Sequence, residues 1–147
     1  MYMEKNAELL NYVYQNAQMG RGSIEKLLSI VNENEDFIAV LKKHLSEYVS
    51  FCDEAADLLR EMGDEVKDVN KLQKAETSMA ISMKTLAEKT PDHVSEMLMQ
   101  GSVMGIIQIT RRIKRYENVA DERVMSFAQK LLEMEEHNFN EYKKFLG

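Results

Sequence analysis

The apolar positions Leu10, Val13, Ala17, Gly20, Ile24, Leu27 and Val31 recur in alternating steps of three and four. That is the period of one face of an α-helix, so residues 5–33 are predicted to form a long amphipathic helix flanked by Tyr14 and Leu28. The polar run 32–36 breaks the pattern. Within it Asn34 can cap a following helix, and Glu35 and Asp36 suit its positive end. So short a connection predicts an antiparallel partner. Residues 35–62 supply it, with Ile38, Leu41, Leu45, Tyr48, Cys52, Ala55, Leu59 and Met62 as the seam and Gly63 as the C′ residue. Residues 64–70 read as a loop. Residues 71–89 carry a narrower stripe (Leu72, Ala75, Met79, Met83, Leu86) and predict a crossover helix, which lets the next long helix run parallel to the second.

Thr90-Pro91-Asp92 is a helix start: a capping hydroxyl, a proline at N1 and an acid in the first turn. The segment it opens reaches about residue 117. Gly101 and Gly105 lie on one face of it, together with Val94, Met97, Leu98, Met104, Ile109 and Tyr116. A mid-helix glycine costs ~1 kcal/mol against alanine, so the pair calls for a reason. Close approach of another helix is the usual reason and a cavity the other; the expectation is a tight waist, with Gly101 and Gly105 meeting Ala17 and Gly20 of the first helix or an equally small surface. Met99, Val103, Ile106, Ile107 and Ile113 point elsewhere, so this helix is apolar around most of its circumference and is expected to be covered on a second side. Val103, Ile106 and Ile107 are the candidate interface. Asp121 is expected to cap a last helix reaching about residue 145, whose stripe is Val124, Phe127, Ala128, Leu131, Tyr142 and Phe145.

Composition agrees with this all-α reading. There are 147 residues, 44% hydrophobic and 30% charged, with one proline, so a single domain over 1–147 is expected. A net charge of −6 argues against a general nucleic-acid binder. The polar start does not read as a signal peptide, and no apolar run approaches membrane-spanning length. The single cysteine, Cys52, gives no internal disulfide framework. A cytoplasmic location follows as the default expectation.

Four long helices with a short crossover, and the runs Met-Lys-Thr-Leu at 83–86, Pro-Asp-His-Val at 91–94 and Gln-Gly-Ser at 100–102, resemble the bacterial ferritin-like proteins, in particular their small members of unknown function. The resemblance covers nearly the whole chain. It implies a ferritin-like antiparallel four-helix bundle with a short crossover helix. It also implies a di-metal centre of iron or manganese, built from a Glu on each of two helices and Glu-x-x-His on each of the other two. The chain departs from that ligand pattern. Glu135 and Asn138 keep the i, i+3 spacing, with Asn where the family has His. His137 falls on the far side of that helix. The seam of the second helix carries Leu45, Tyr48 and Cys52 and no acid, with His44 at its flank and Glu47 pointing away. The first helix has Ala17 and Gly20 where a Glu is expected, with Asn16 and Arg21 at the margins. The Gly-Ser at 101–102 stands where related proteins are expected to have Gly-Glu.

Glu135 is thus the most informative polar residue: a surviving ligand or general base, or a buried acid paired with Arg21, Tyr14, Tyr48 or Gln108. A buried carboxylate needs such partners. Glu135, Asn138 and His44 are the metal candidates. Cys52 beside Tyr48 reads as a small core residue rather than a redox centre. The eleven methionines read as core filling rather than a copper site. The basic run 111–115 spreads around its helix and reads as a solvated end. No phosphate loop, nucleophile elbow or zinc spacing supports another enzyme class. The function expected is a non-catalytic structural or protein-interaction bundle that has lost most di-metal ligands, a homodimer with no cofactor. The alternatives are an iron- or manganese-binding oxidoreductase or storage protein with an atypical site, and an assembly protein like those of bacterial spore coats.

Overall fold

The computed structural model describes residues 2–68 and 88–147. Four helices account for most of them: α1 (Tyr2–Ile30), α2 (Glu35–Glu61), α3 (Pro91–Tyr116) and α4 (Glu122–Tyr142), the last followed by a 3-10 turn, Lys143–Phe145. There is no strand among the described residues. The predicted crossover helix, except for its last two residues, lies outside the described residues.

The helix ends follow from local chemistry. Asn34 sits at φ 67°, a conformation Asn tolerates, and its side chain accepts from the Phe37 N–H at 3.1 Å. Gly63, at φ 76°, closes α2 as expected, its N–H donating to the Arg60 carbonyl at 3.0 Å. Thr90 Oγ1 accepts from the His93 N–H at 3.2 Å, with Pro91 behind it. Asp121 precedes α4 but makes no capping bond with its side chain. Its own N–H donates instead to Asn6 Oδ1 at 2.8 Å, which ties the start of α4 to the start of α1.

Contacts between helices fix their register. Gly20 lies against Tyr48, and the Cys52 thiol approaches the Tyr14 carbonyl, so α1 and α2 run past each other. Tyr116 donates to Glu8 at 2.8 Å, and Arg112 stacks on Tyr12 at 3.8 Å, which sets α3 against α1. Tyr48 meets Glu135, His44 meets Tyr142, and Arg123 forms a two-bonded ion pair with Glu61, which sets α4 against α2. Between them the helices enclose a core that includes Leu10, Val13, Leu27, Leu41, Leu59, Ile109 and Leu131, all fully buried. Each such aliphatic side chain contributes about 1.5–3 kcal/mol by leaving water.

Two predicted faces are rotated. On α2, Phe37 and His44 are fully buried, whereas Ile38 and Leu45 are only half-buried. On α3 the buried line is Val94, Ser95, Ser102, Ile109 and Tyr116, and Met104 is 60% exposed. Ser95 and Ser102 join the expected Val94, Ile109 and Tyr116 inside, and Gly105 turns toward Glu135, while Gly101 and Met104 stay exposed. Apolar side chains on every face of α3 conceal this choice in the sequence. The tight waist fails with it. Among the described residues a Cβ on Gly101 would meet nothing within 4 Å, and Gly101 is exposed. Ala17 is fully buried. Val103 and Ile107 are about 40% exposed and Ile106 is half-buried. No described helix is long and apolar enough to cross a membrane.

Candidate functional site

All four helices converge on Glu135. It follows Leu131 by one turn on the inner face of α4 and is 3% exposed. From α2, Tyr48 Oη donates to its Oε1 at 2.9 Å. From α1, Asn16 Nδ2 donates to the same oxygen at 3.3 Å. From α3, the buried Ser102 hydroxyl acts on the carboxyl as a weaker donor than these two. Gly105 admits the carboxyl, since a Cβ there would sit 3.4 Å from its carbon. Of the partners expected for this acid, Tyr48 is present. Arg21 is taken by Glu25, Tyr14 by Asp68, and Gln108 by Arg112. Among the described residues Glu135 has no cationic partner. Burial pushes its pKa up to about 7, against the pull of the Tyr48, Asn16 and Ser102 hydrogen bonds, and the nearby Glu47 charge pushes the same way as burial. Near neutral pH the group can therefore take up or release a proton.

The carboxyl opens onto a cleft of about 550 Å³. α1 and α3 form its walls, and Tyr48, Glu135 and Tyr142 its floor. Gly20, Gly101 and Gly105 all line it. Gly20 is not matched with another small residue: a Cβ there would fall 2.5–2.8 Å from three carbons of the Tyr48 ring.

His44 belongs to a second network. Its Nδ1 lies 2.5 Å from Tyr142 Oη and its Nε2 2.9 Å from Glu141 Oε1. Burial lowers its pKa, against the opposing effect of Glu141. In the neutral ring Nε2–H donates to Glu141 and Nδ1 accepts from the tyrosine. Lys43 and His137 also reach Glu141, at 3.2 and 3.1 Å. Both nitrogens of His44 are thus committed away from Glu135. Among the described residues neither amide atom of Asn138, 1% exposed, nor the buried Glu47 Oε1 makes a well-formed hydrogen bond, though the two side chains are near enough for Asn138 to lower the Glu47 pKa. Glu47, expected to point away, is half-buried and acts on Glu135 electrostatically.

No group of three or more His, Cys, Asp or Glu among the described residues could hold a metal ion. Among the described residues the donors at the bundle centre are the Glu135 carboxylate held by neutral groups, the half-buried Glu47, the Asn16 and Asn138 amides, and an imidazole with both nitrogens bonded. That set does not fit a di-iron or di-manganese centre. No family model matches the chain, and no curated protein or solved structure matches it either. Ser102 could have been found from sequence as the residue that joins Glu135 from the glycine pair's helix. Asn16 stands one position from the expected seam, and its role depends on how α1 rotates, which periodicity alone leaves open.

Proposed function

We propose that this protein is a non-catalytic ferritin-like antiparallel bundle, with a crossover between its second and third long helices, that acts as a structural or protein-interaction module and forms a homodimer. The opposed registers of α1 with α2, α1 with α3, and α2 with α4 support the topology. The function rests on one observation: Tyr48, Asn16 and Ser102 take the Glu135 carboxyl where the family pattern places metal ligands. The exposed Val103, Met104 and Ile107 on α3 supply a surface for a second copy. The test is elemental analysis of protein expressed with iron and manganese present and purified without chelator. Substoichiometric metal, unchanged by Glu135→Ala, is expected. One or two equivalents per chain, lost in that variant, would overturn the reading.

A second reading, an atypical iron or manganese site in a storage or redox protein, draws on the amide of Asn138 and Glu47 Oε1, which make no well-formed hydrogen bond among the described residues. Buried polar atoms without partners carry a desolvation cost that a bound ion would relieve. Metal lost from Asn138→Leu and Glu47→Gln variants would favour this reading.

A further inference from the structure

We propose that the cleft between α1 and α3 binds an organic amine, its ammonium group on the Glu135 carboxylate and its apolar body along α3. The proposal goes beyond the interaction-module reading and is independent of dimerisation. A carboxylate buried to this degree ordinarily has a cation beside it. Glu135 has three neutral donors and, among the described residues, no cation. Arg112 is the cation on the cleft wall. It stands seven residues from Gly105, about 10 Å along the helix axis, and stacks on Tyr12. Among the described residues, no cation stands at the carboxyl end of this cleft.

The floor and walls fit the rest of such a ligand. Tyr48 and Tyr142 line the cleft together with Glu135, and aromatic rings attract ammonium groups. Beyond them Ile24, Met97 and Leu98 make that end of the cleft apolar. Gly101 leaves the wall bare where the body would lie, since no atom of the described residues stands within 4 Å of a Cβ built there. The site selects for positive charge and apolar area together. An anion is disfavoured by Glu135, and a small polar amine forgoes the apolar end.

The probes are 1-naphthylmethylamine and its neutral counterpart 1-naphthylmethanol, titrated calorimetrically into the full chain near pH 8. The amine is expected to bind about tenfold more tightly than the alcohol, the discrimination of one charge-assisted hydrogen bond. Glu135→Gln should erase that preference, and Gly101→Leu, which fills the cleft from its open wall, should remove binding of both. In the wild type, amide NMR shifts on adding the amine should centre on Gly101 and Gly105, a readout that needs no variant to fold. Equal affinity for the two probes, a preference that survives Glu135→Gln, shifts centred elsewhere, or no saturable binding up to about 1 mM would each overturn the proposal.

Discussion

At the residue scale, two glycines of similar sequence appearance have opposite roles. Gly20 holds its place because Tyr48 presses on it, and Tyr48 is in turn held by Glu135. Among the described residues Gly101 faces open space, and it contributes only backbone freedom. Gly20→Ala is therefore expected to destabilise by ~1–3 kcal/mol through overpacking. Gly101→Ala is expected to stabilise by up to ~1 kcal/mol through helix propensity. Urea midpoints of the two variants check the pair, and a loss at Gly101 would restore the tight waist. Glu135 gives a pH dependence of definite sign. Its pKa of about 7 in the folded state stands above the usual 4.5, so the folded chain keeps this proton to higher pH than the unfolded one. Stability contributed by the protonated form is complete below 4.5 and is lost as pH rises through 7, by roughly 3 kcal/mol. Glu47 is shifted in the same direction, by burial. His44 is shifted down from 6.5, so its contribution is lost as pH falls instead. Denaturation at about pH 5 and about pH 8 should show the wild type losing stability relative to Glu135→Gln on going to the higher pH. Parallel profiles would mean that the carboxyl is not strained by burial.

At the element scale, capping separates positions that the sequence treats alike. Asn34, Thr90 and Asp121 all read as N-caps, yet only the first two accept a backbone N–H. The Asp121 N–H is held by Asn6, a buried side chain 115 residues away. Thr90→Ala should cost ~1 kcal/mol and Asp121→Ala less than ~0.5 kcal/mol. Asn6→Ala should cost ~1–2 kcal/mol, because it strands a backbone donor. Thermal unfolding of the three variants checks the order, and an Asp121→Ala loss larger than that of Asn6→Ala would reverse the assignment. The starts of α2, α3 and α4 were legible in sequence because Asn34, Thr90-Pro91 and Asp121 mark them locally. The inward face of α3 was not. Its apolar residues surround the axis, and the choice of Ser95 and Ser102 for the interior depends on what α4 brings to meet them. The full burial of His44, singled out from sequence only as a residue flanking the seam, was hidden for a related reason. A histidine beside a seam is buried only if partners such as Tyr142 and Glu141 wait across the interface, and a one-dimensional pattern does not contain them. Glu135 was legible because it stands in the middle of an apolar stripe, where an acid must be accounted for.

At the scale of the whole molecule, the remaining question is what α3 does with the side chains the bundle leaves outside. Val103, Met104 and Ile107 are each at least 40% exposed, on consecutive turns of one helix. Leu146 is 44% exposed, and with Met99, Val103, Met104 and Phe139 it lines a shallow groove of about 560 Å³. In that groove Met99, Val103 and Met104 of α3 meet Phe139 of α4 and Leu146 beyond the final turn, and Ile107 lies one turn further along α3. Contiguous apolar surface of this kind favours association, and a two-fold contact of a strip with its own copy is the simplest closed arrangement. The proposed homodimer would pair α3 with α3 across that strip. Light scattering at micromolar concentration should then give twice the chain mass. Ile107→Glu would place a like charge on both sides of the contact and should return the protein to a monomer with its helical content intact. Gly101→Ala, on the cleft side of α3, should leave the dimer unchanged. A monomer mass throughout the concentration range, indifferent to Ile107→Glu, would mean that the chain covers this strip itself. The interaction-module reading would then lose the surface on which it depends, while the cleft at Glu135 would remain to be tested separately.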